Sequence, residues 1–292
     1  MPGQPGLFTS LPAWEAMLAD HNGPAAGTSL ASDARAPFAW RQNREEGRKM
    51  EPETRIASDK KLSLAFNTHG GGSTLTEEIF LLRAIMTSFD FVIVSPKFRL
   101  VPEHPFPTPL DDGWDTLLWM LSNEGSLGFD RQNVLLAAGS ARGSLISVLG
   151  VIVGNAIAGE DFGSEDVRPI GFGTQTMVKG IFLNVPITCH PSFLPMHESP
   201  NTSYAQAISG TTLLCSEEMY KIWELYAARS EPYDQRHPDM SPLLADLTNF
   251  PPPRIYTAGQ DPVRDEALAF EHKLKDAARE VKVFMCLGHS MI

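Results

Sequence analysis

From residue 61 onward, short apolar runs rich in β-branched and aromatic residues alternate with longer runs of helical periodicity. The strand-like runs are Lys61–Asn67, Phe91–Ser95, Asn133–Ala138, Gly180–Val185, Pro253–Ala258 and Val281–Cys286. Several are apolar without alternation, the pattern of strands covered on both faces. Between them lie helix-like runs at Leu75–Phe89, Leu110–Ser122, Gly143–Ala158 and Asp265–Arg279. The last opens with acids and closes with bases, which suits the helix dipole. This alternation predicts an α/β fold: a mostly parallel sheet, helices on both faces, right-handed crossovers.

Two stretches break the rhythm. Residues 1 to about 57 are mixed, with a short helical pattern at Pro12–Asp20 and a highly charged segment, Trp40–Glu51, that reads as a solvated face or loop. Residues 186 to about 240 are rich in proline and polar residues, with Tyr204, Trp223 and Tyr226 interspersed. They read as an insertion over one end of the sheet. Ligands of such sheets bind outside the carboxyl ends of the strands. No internal repeat is visible, and the 292 residues fit one large α/β domain.

Composition narrows the class. Hydrophobic residues make up 42% and charged residues 20%, as in soluble globular proteins. The formal net charge of −11 argues against a nucleic-acid partner and against docking on an anionic membrane. Val134–Gly159 is apolar enough to suggest a membrane span. Arg142 at its centre would be costly in lipid, and a buried strand, tight turn and buried helix explain the same residues. Cys189, Cys215 and Cys286 show no metal-ligand spacing and are odd in number. With an N-terminus lacking a basic region and a continuous apolar run, they lead us to expect a reduced, cytoplasmic protein.

Four segments carry candidate chemistry, each just after a predicted strand. His69-Gly70-Gly71-Gly72 lets the backbone approach a ligand closely and present N–H donors to an oxyanion; alone it reads equally as a flexible turn. Ala138-Gly139-Ser140-Ala141-Arg142-Gly143 places a serine between an apolar strand and an apolar helix. A hydroxyl there projects above the sheet, facing the helix N-terminus and the Ala141 N–H. The motif is a degenerate form of G-x-S-x-G, and a small-residue turn is its plain structural reading. Gly259-Gln260-Asp261 offers a strand-end carboxylate suited to orienting an imidazole, while Asp265 and Glu266 read as helix N-terminal acids. Gly288-His289-Ser290 supplies a histidine able to reach back to the serine. Together they follow the order Ser, Asp, His of the α/β-hydrolases.

With these segments, FRLVPEHPFPTPLDD (residues 98–112), SPLLADL (residues 241–247) and TAGQDPVRDEAL (residues 257–268), the chain resembles the hormone-sensitive-lipase-like carboxylesterases of the α/β-hydrolase superfamily. The resemblance runs from about Leu62 to His289. It implies a triad of Ser140, Asp261 and His289, and an oxyanion hole from the N–H groups of Gly71, Gly72 and Ala141. It also implies a cap built from residues 1 to about 45 and 187 to about 235. The expected activity is hydrolysis of a small or medium-chain carboxylic ester through an acyl-enzyme, without metal or cofactor. The alternatives are cyclisation, elimination or acyl transfer on a natural product, or non-catalytic binding of a small molecule. Phe193, Met196, Tyr204, Met219 and Trp223 read equally as an acyl pocket or as cap core.

Several positions depart from that family. Arg142 stands where a glycine lets the elbow helix pack on the strand; its side chain is expected to be accommodated by packing, or to contact an acidic group of the substrate. Lys97-Phe98 replaces a common Asp-Tyr. Ser73 follows the glycines where an aromatic is frequent, implying a more open pocket wall. Arg99 and Glu103 are expected to pair and brace the oxyanion loop. The chain stops three residues after His289, where family members continue with a helix. Apolar surface is therefore expected there, covered by the neighbour in a homodimer or left at a cost in stability.

Overall fold

The computed structural model describes residues 38–41, 62–68, 91–96, 98–159, 177–194, 202–207, 214–228 and 234–287. Its centre is a seven-stranded sheet: β1 (Phe38–Arg41), β2 (Leu62–Thr68), β3 (Phe91–Ser95), β4 (Phe129–Gly139), β5 (Val178–Asn184), β6 (Pro253–Ala258) and β7 (Lys282–Cys286). The order across the sheet is β1-β3-β2-β4-β5-β6-β7. β1 runs antiparallel to β3, and every other pairing is parallel. All six strand-like runs are therefore strands, and the predicted parallel α/β architecture is present. β1 is the addition: Trp40 and Arg41, read above as the start of a solvated face or loop, lie in an edge strand.

The long described helices are α1 (Thr108–Ser122), α2 (Ala141–Ala158), α3 (Ser216–Tyr226) and α4 (Arg264–Asp276). The helix-like run Leu75–Phe89 lies outside the described residues. α1, α2 and α4 share one core with alternate sheet positions, among them Val134, Leu136, Ala138, Ile181, Leu183 and Ile255. α2 is apolar all round and buried along most of its length. It is long and apolar enough to cross a membrane, but here it is a core helix of the protein. The apolar stretch from Val134 thus resolves into strand, turn and helix. Gly154 makes the seating of α2 possible: a Cβ there would lie 2.2 Å from the Asn249 carbonyl oxygen.

On the opposite face, β5, β6 and β7 carry an aromatic ladder. The Phe182 and Tyr256 rings are 5.2 Å apart, and Tyr256 stacks on Phe284 at 4.7 Å. Tyr256, Phe284 and Met285 are exposed, so apolar surface does occur at this end of the sheet. Cys189, Cys215 and Cys286 are free thiols.

Candidate active site

The sheet register aligns the ends of the strands that precede the chemically marked segments. Thr68, the last residue of β2, pairs with Ala138, and Gly139 pairs with Asn184. Asn184 pairs with Tyr256, and Ala258 with Cys286. The strands β2, β4, β5, β6 and β7 therefore end along one carboxyl-end crest, where parallel sheets hold ligands.

Ser140 sits at the summit of this crest, between β4 and α2, with φ 53° and ψ −129°. A non-glycine residue at positive φ costs about 1–3 kcal/mol and persists only when its surroundings over-determine it. They do so here. The Ser140 N–H donates to the Asn184 carbonyl at 2.9 Å, and the Ser140 carbonyl accepts from Gly143 N–H at 2.8 Å and Ile187 N–H at 3.3 Å. The next strand end holds a second such residue, Val185 at φ 44°, whose N–H donates to the Tyr256 carbonyl at 2.7 Å. Strain concentrated at one sheet edge points to a functional site.

The close helix–strand approach at the elbow belongs to Gly143. A Cβ on Gly143 would lie 2.6 Å from Pro186 Cβ. Position 142 need not be small, and Arg142 is accommodated. Its side chain is buried and its guanidinium lies 4.4 Å from the centre of the Phe98 ring. Ala141 is the first residue of α2, so its N–H is among those left without an intrahelical partner. It packs against the cap cluster described below.

Asp261 follows β6 and is fully buried. Its Oδ1 accepts from Val263 N–H at 3.0 Å, which fixes the carboxylate on the crest. Gly259 N–H donates to the Cys286 carbonyl at 3.0 Å, tying the Asp261 loop to the end of β7. His289, three residues beyond Cys286, lies outside the described residues. So do Gly71 and Gly72, along with Ser73 and Lys97.

Glu103 is exposed, and the expected pairing with Arg99 does not form. Arg99 instead holds Asp112: the Arg99 backbone N–H and Nε reach Asp112 Oδ2 at 2.9 and 3.1 Å, and Nη2 reaches Oδ1 at 2.6 Å. A bidentate fork needs a carboxylate facing the guanidinium, and Asp112 on α1 provides it.

The insertion after β5, called the cap below after the expectation for it, has as its described parts a single-turn helix, Ser203–Gln206, and α3. Tyr204, Met219 and Trp223 form a buried cluster with Val185, Ile187, Ala258 and Val263. These side chains join the insertion to the ends of β5 and β6. Phe193 packs against the main core, and Met196 lies outside the described residues.

Glu266 has a role that its reading as a helix N-terminal acid missed. It lies in the first turn of α4, as read, and is fully buried. Tyr204 Oη donates to its Oε1 at 2.7 Å, and the N–H groups of Thr188 and Cys189 donate to its Oε2 at 2.7 and 3.1 Å. Burial raises its pKa from 4.5 to about 7, against the pull of these hydrogen bonds. Asp265 also reaches the cap, accepting from Ser203 N–H at 2.6 Å. A signal for Glu266 was present: it shares the buried helical stripe of Phe270 and Leu274 at spacings of four.

A family model described as alpha/beta hydrolase fold matches residues 65–290. The chain is 30% identical over 227 residues to versiconal hemiacetal acetate esterase of Dothistroma septosporum, covering 76% of this chain and 63% of that protein. It is 26% identical to carboxylesterase NlhH of Mycobacterium tuberculosis, covering 74% of this chain and 61% of that one. It thus spans under two thirds of the length of these two relatives. The crystal structure of EstE1, a thermophilic carboxylesterase from a metagenomic library, superposes with a TM-score of 0.66 at 27% identity, covering 79% and 71% of the two chains.

Proposed function

Because the chain belongs to the α/β-hydrolase fold family, in its hormone-sensitive-lipase-like branch, we propose that it is a serine carboxylesterase acting on small or medium-chain esters through an acyl-enzyme. The observation that carries this reading is the Ser140 elbow: a strained serine between β4 and α2, on the same crest as the buried Asp261. In the proposed reaction, Ser140 Oγ attacks the ester carbonyl and His289 takes its proton. Asp261 holds the imidazole tautomer and stabilises the imidazolium. The N–H groups of Gly71, Gly72 and Ala141 receive the oxyanion. His289 then protonates the leaving alcohol, and water activated by the same imidazole releases the acid.

The register supports this assignment. β2 ends at Thr68, immediately before the glycine segment, and pairs there with Ala138, two residues before the serine. Three residues of chain beyond Cys286 span at most roughly 10 Å, from a strand end hydrogen-bonded to the Asp261 loop.

Turnover of 4-nitrophenyl acetate and butyrate tests the proposal, with fluorophosphonate labelling alongside. Ser140→Ala is expected to abolish labelling and to lower kcat by about 10⁴-fold or more. Wild-type turnover should fall as the medium becomes acid enough to protonate the imidazole. Full turnover by Ser140→Ala would rule the mechanism out. Labelling without turnover of any ester would instead favour another acyl chemistry, such as cyclisation or acyl transfer.

A further inference from the structure

Among the described residues, Arg142 is a buried cation with no anion hydrogen-bonded to it. It is the second residue of α2, two positions after Ser140, and only 6% of its surface is exposed. Nε has no hydrogen-bond partner. The guanidinium stacks on the Phe98 ring, and the Tyr226 phenol and Asp112 carboxylate act on it through their fields. Burial raises the phenol's pKa, so it remains neutral. Asp112 already accepts four hydrogen bonds from Arg99. The carboxylate whose field reaches Arg142 is therefore already engaged by another guanidinium. Burial lowers the Arg142 pKa to about 10, which still leaves it charged at neutral pH.

A buried charge left unpaired is among the costlier features a fold can carry. The surroundings add to the demand for an anion. α2 has no acidic residue in its first turn and no side-chain cap, so its own sequence supplies no anion near Arg142. Tyr226 closes α3 of the cap and packs against the cluster that includes Ala141 and Val185. Arg142 thus lies between the elbow and the cap, close along the chain to the nucleophile.

We propose that Arg142 is a specificity residue that receives a carboxylate of the substrate, so that the natural ester is anionic. This rests on the esterase reading above. A planar guanidinium fork suits a carboxylate, carried on either the acyl or the alcohol side of the ester. Overall electrostatics oppose such a substrate, since the chain carries a net charge of −11. A preference for anionic esters therefore has to come from a local group.

Two matched ester pairs test this on the whole chain. Phenyl hydrogen glutarate and methyl phenyl glutarate differ by a carboxylate on the acyl side; 4-acetoxybenzoate and its methyl ester differ by one on the alcohol side. Wild type is expected to show a kcat/KM about 10- to 100-fold higher for the charged member of one pair, the range of charge-assisted hydrogen bonds. The pair that shows it identifies the side. In Arg142→Met the charged-to-neutral ratio is expected to fall to about one or below. Glutarate and 4-hydroxybenzoate, added alone, give a readout without catalysis: one of them should raise the Tm of wild type and of Ser140→Ala, but not of Arg142→Met.

Wild type that favours neither charged ester and is stabilised by neither anion overturns the proposal, whether or not the variant folds. A charged-to-neutral ratio unchanged in Arg142→Met overturns it as well. If wild type turns over no ester, yet an anion stabilises it and not Arg142→Met, the esterase reading fails and the anion site stands.

Discussion

Substituting glutamine for Glu266 changes one atom pair in the buried joint between α4, the loop after β5 and the cap. Glutamine keeps a carbonyl oxygen for the N–H groups of Thr188 and Cys189, which lie 2.7 and 3.1 Å from Glu266 Oε2. Its amide N–H₂ faces Tyr204 Oη, now 2.7 Å from Oε1, and the phenol can rotate to accept. Glu266→Gln thus mimics the protonated acid. Raising the group from 4.5 to about 7 corresponds to roughly 3 kcal/mol against the ionised folded state. The folded protein binds this proton more tightly than the unfolded chain does. Wild-type stability therefore falls as pH rises from about 4.5 through about 7, and the full penalty is present above that range. The assay is urea unfolding of wild type and Glu266→Gln at pH 5, 6, 7 and 8; subtracting the two curves removes the contribution of every other titrating group. The variant should match wild type near the acid end and exceed it by up to about 3 kcal/mol at pH 8. Glu266→Ala, which strands two buried N–H groups, should lose about 2–5 kcal/mol throughout. If Glu266→Gln is less stable than wild type at pH 8, the carboxylate is held by its donors as an anion and the reasoning is wrong.

Other outcomes follow from contacts around the elbow and cap. Gly143→Ala drives a Cβ to 2.6 Å from Pro186 and should cost about 1–3 kcal/mol, read as a lower urea midpoint at unchanged slope. Trp223→Ala empties the centre of the cap cluster, where Trp223 is 3% exposed. It should cost about 3–5 kcal/mol and open the insertion to limited proteolysis before the sheet unfolds.

Much of the molecule was legible before any coordinates. Phe91–Ser95 and Pro253–Ala258 have the predicted bounds, because a run of β-branched and aromatic residues between turn residues has few other uses. α2 begins two residues earlier than its apolar periodicity suggested, since Ala141 and Arg142 contribute helix without contributing hydrophobicity. β1 escaped notice because four residues at an edge carry too little periodicity to register. Ser140 and Asp261 were marked by their place after apolar strands, and the structure sets both on the crest. Asp112 was quoted only as the end of a motif. Its pairing with Arg99 spans thirteen residues, and no local pattern reports a contact at that distance.

Local physics therefore determined the kinds of elements, their order and the chemical types at their ends, because periodicity, turn chemistry and dipole preference act over a few residues. Tertiary packing decided which groups meet across long separations. It made Gly143, rather than position 142, the point where helix and strand approach closely. It buried Glu266 against loop and cap, and it gave Asp112 to Arg99, while Arg142 Nε has no hydrogen-bond partner among the described residues. Such pairings depend on where distant segments come to rest. The free energy of a buried polar group is set by its three-dimensional neighbours, and the linear chain does not list them.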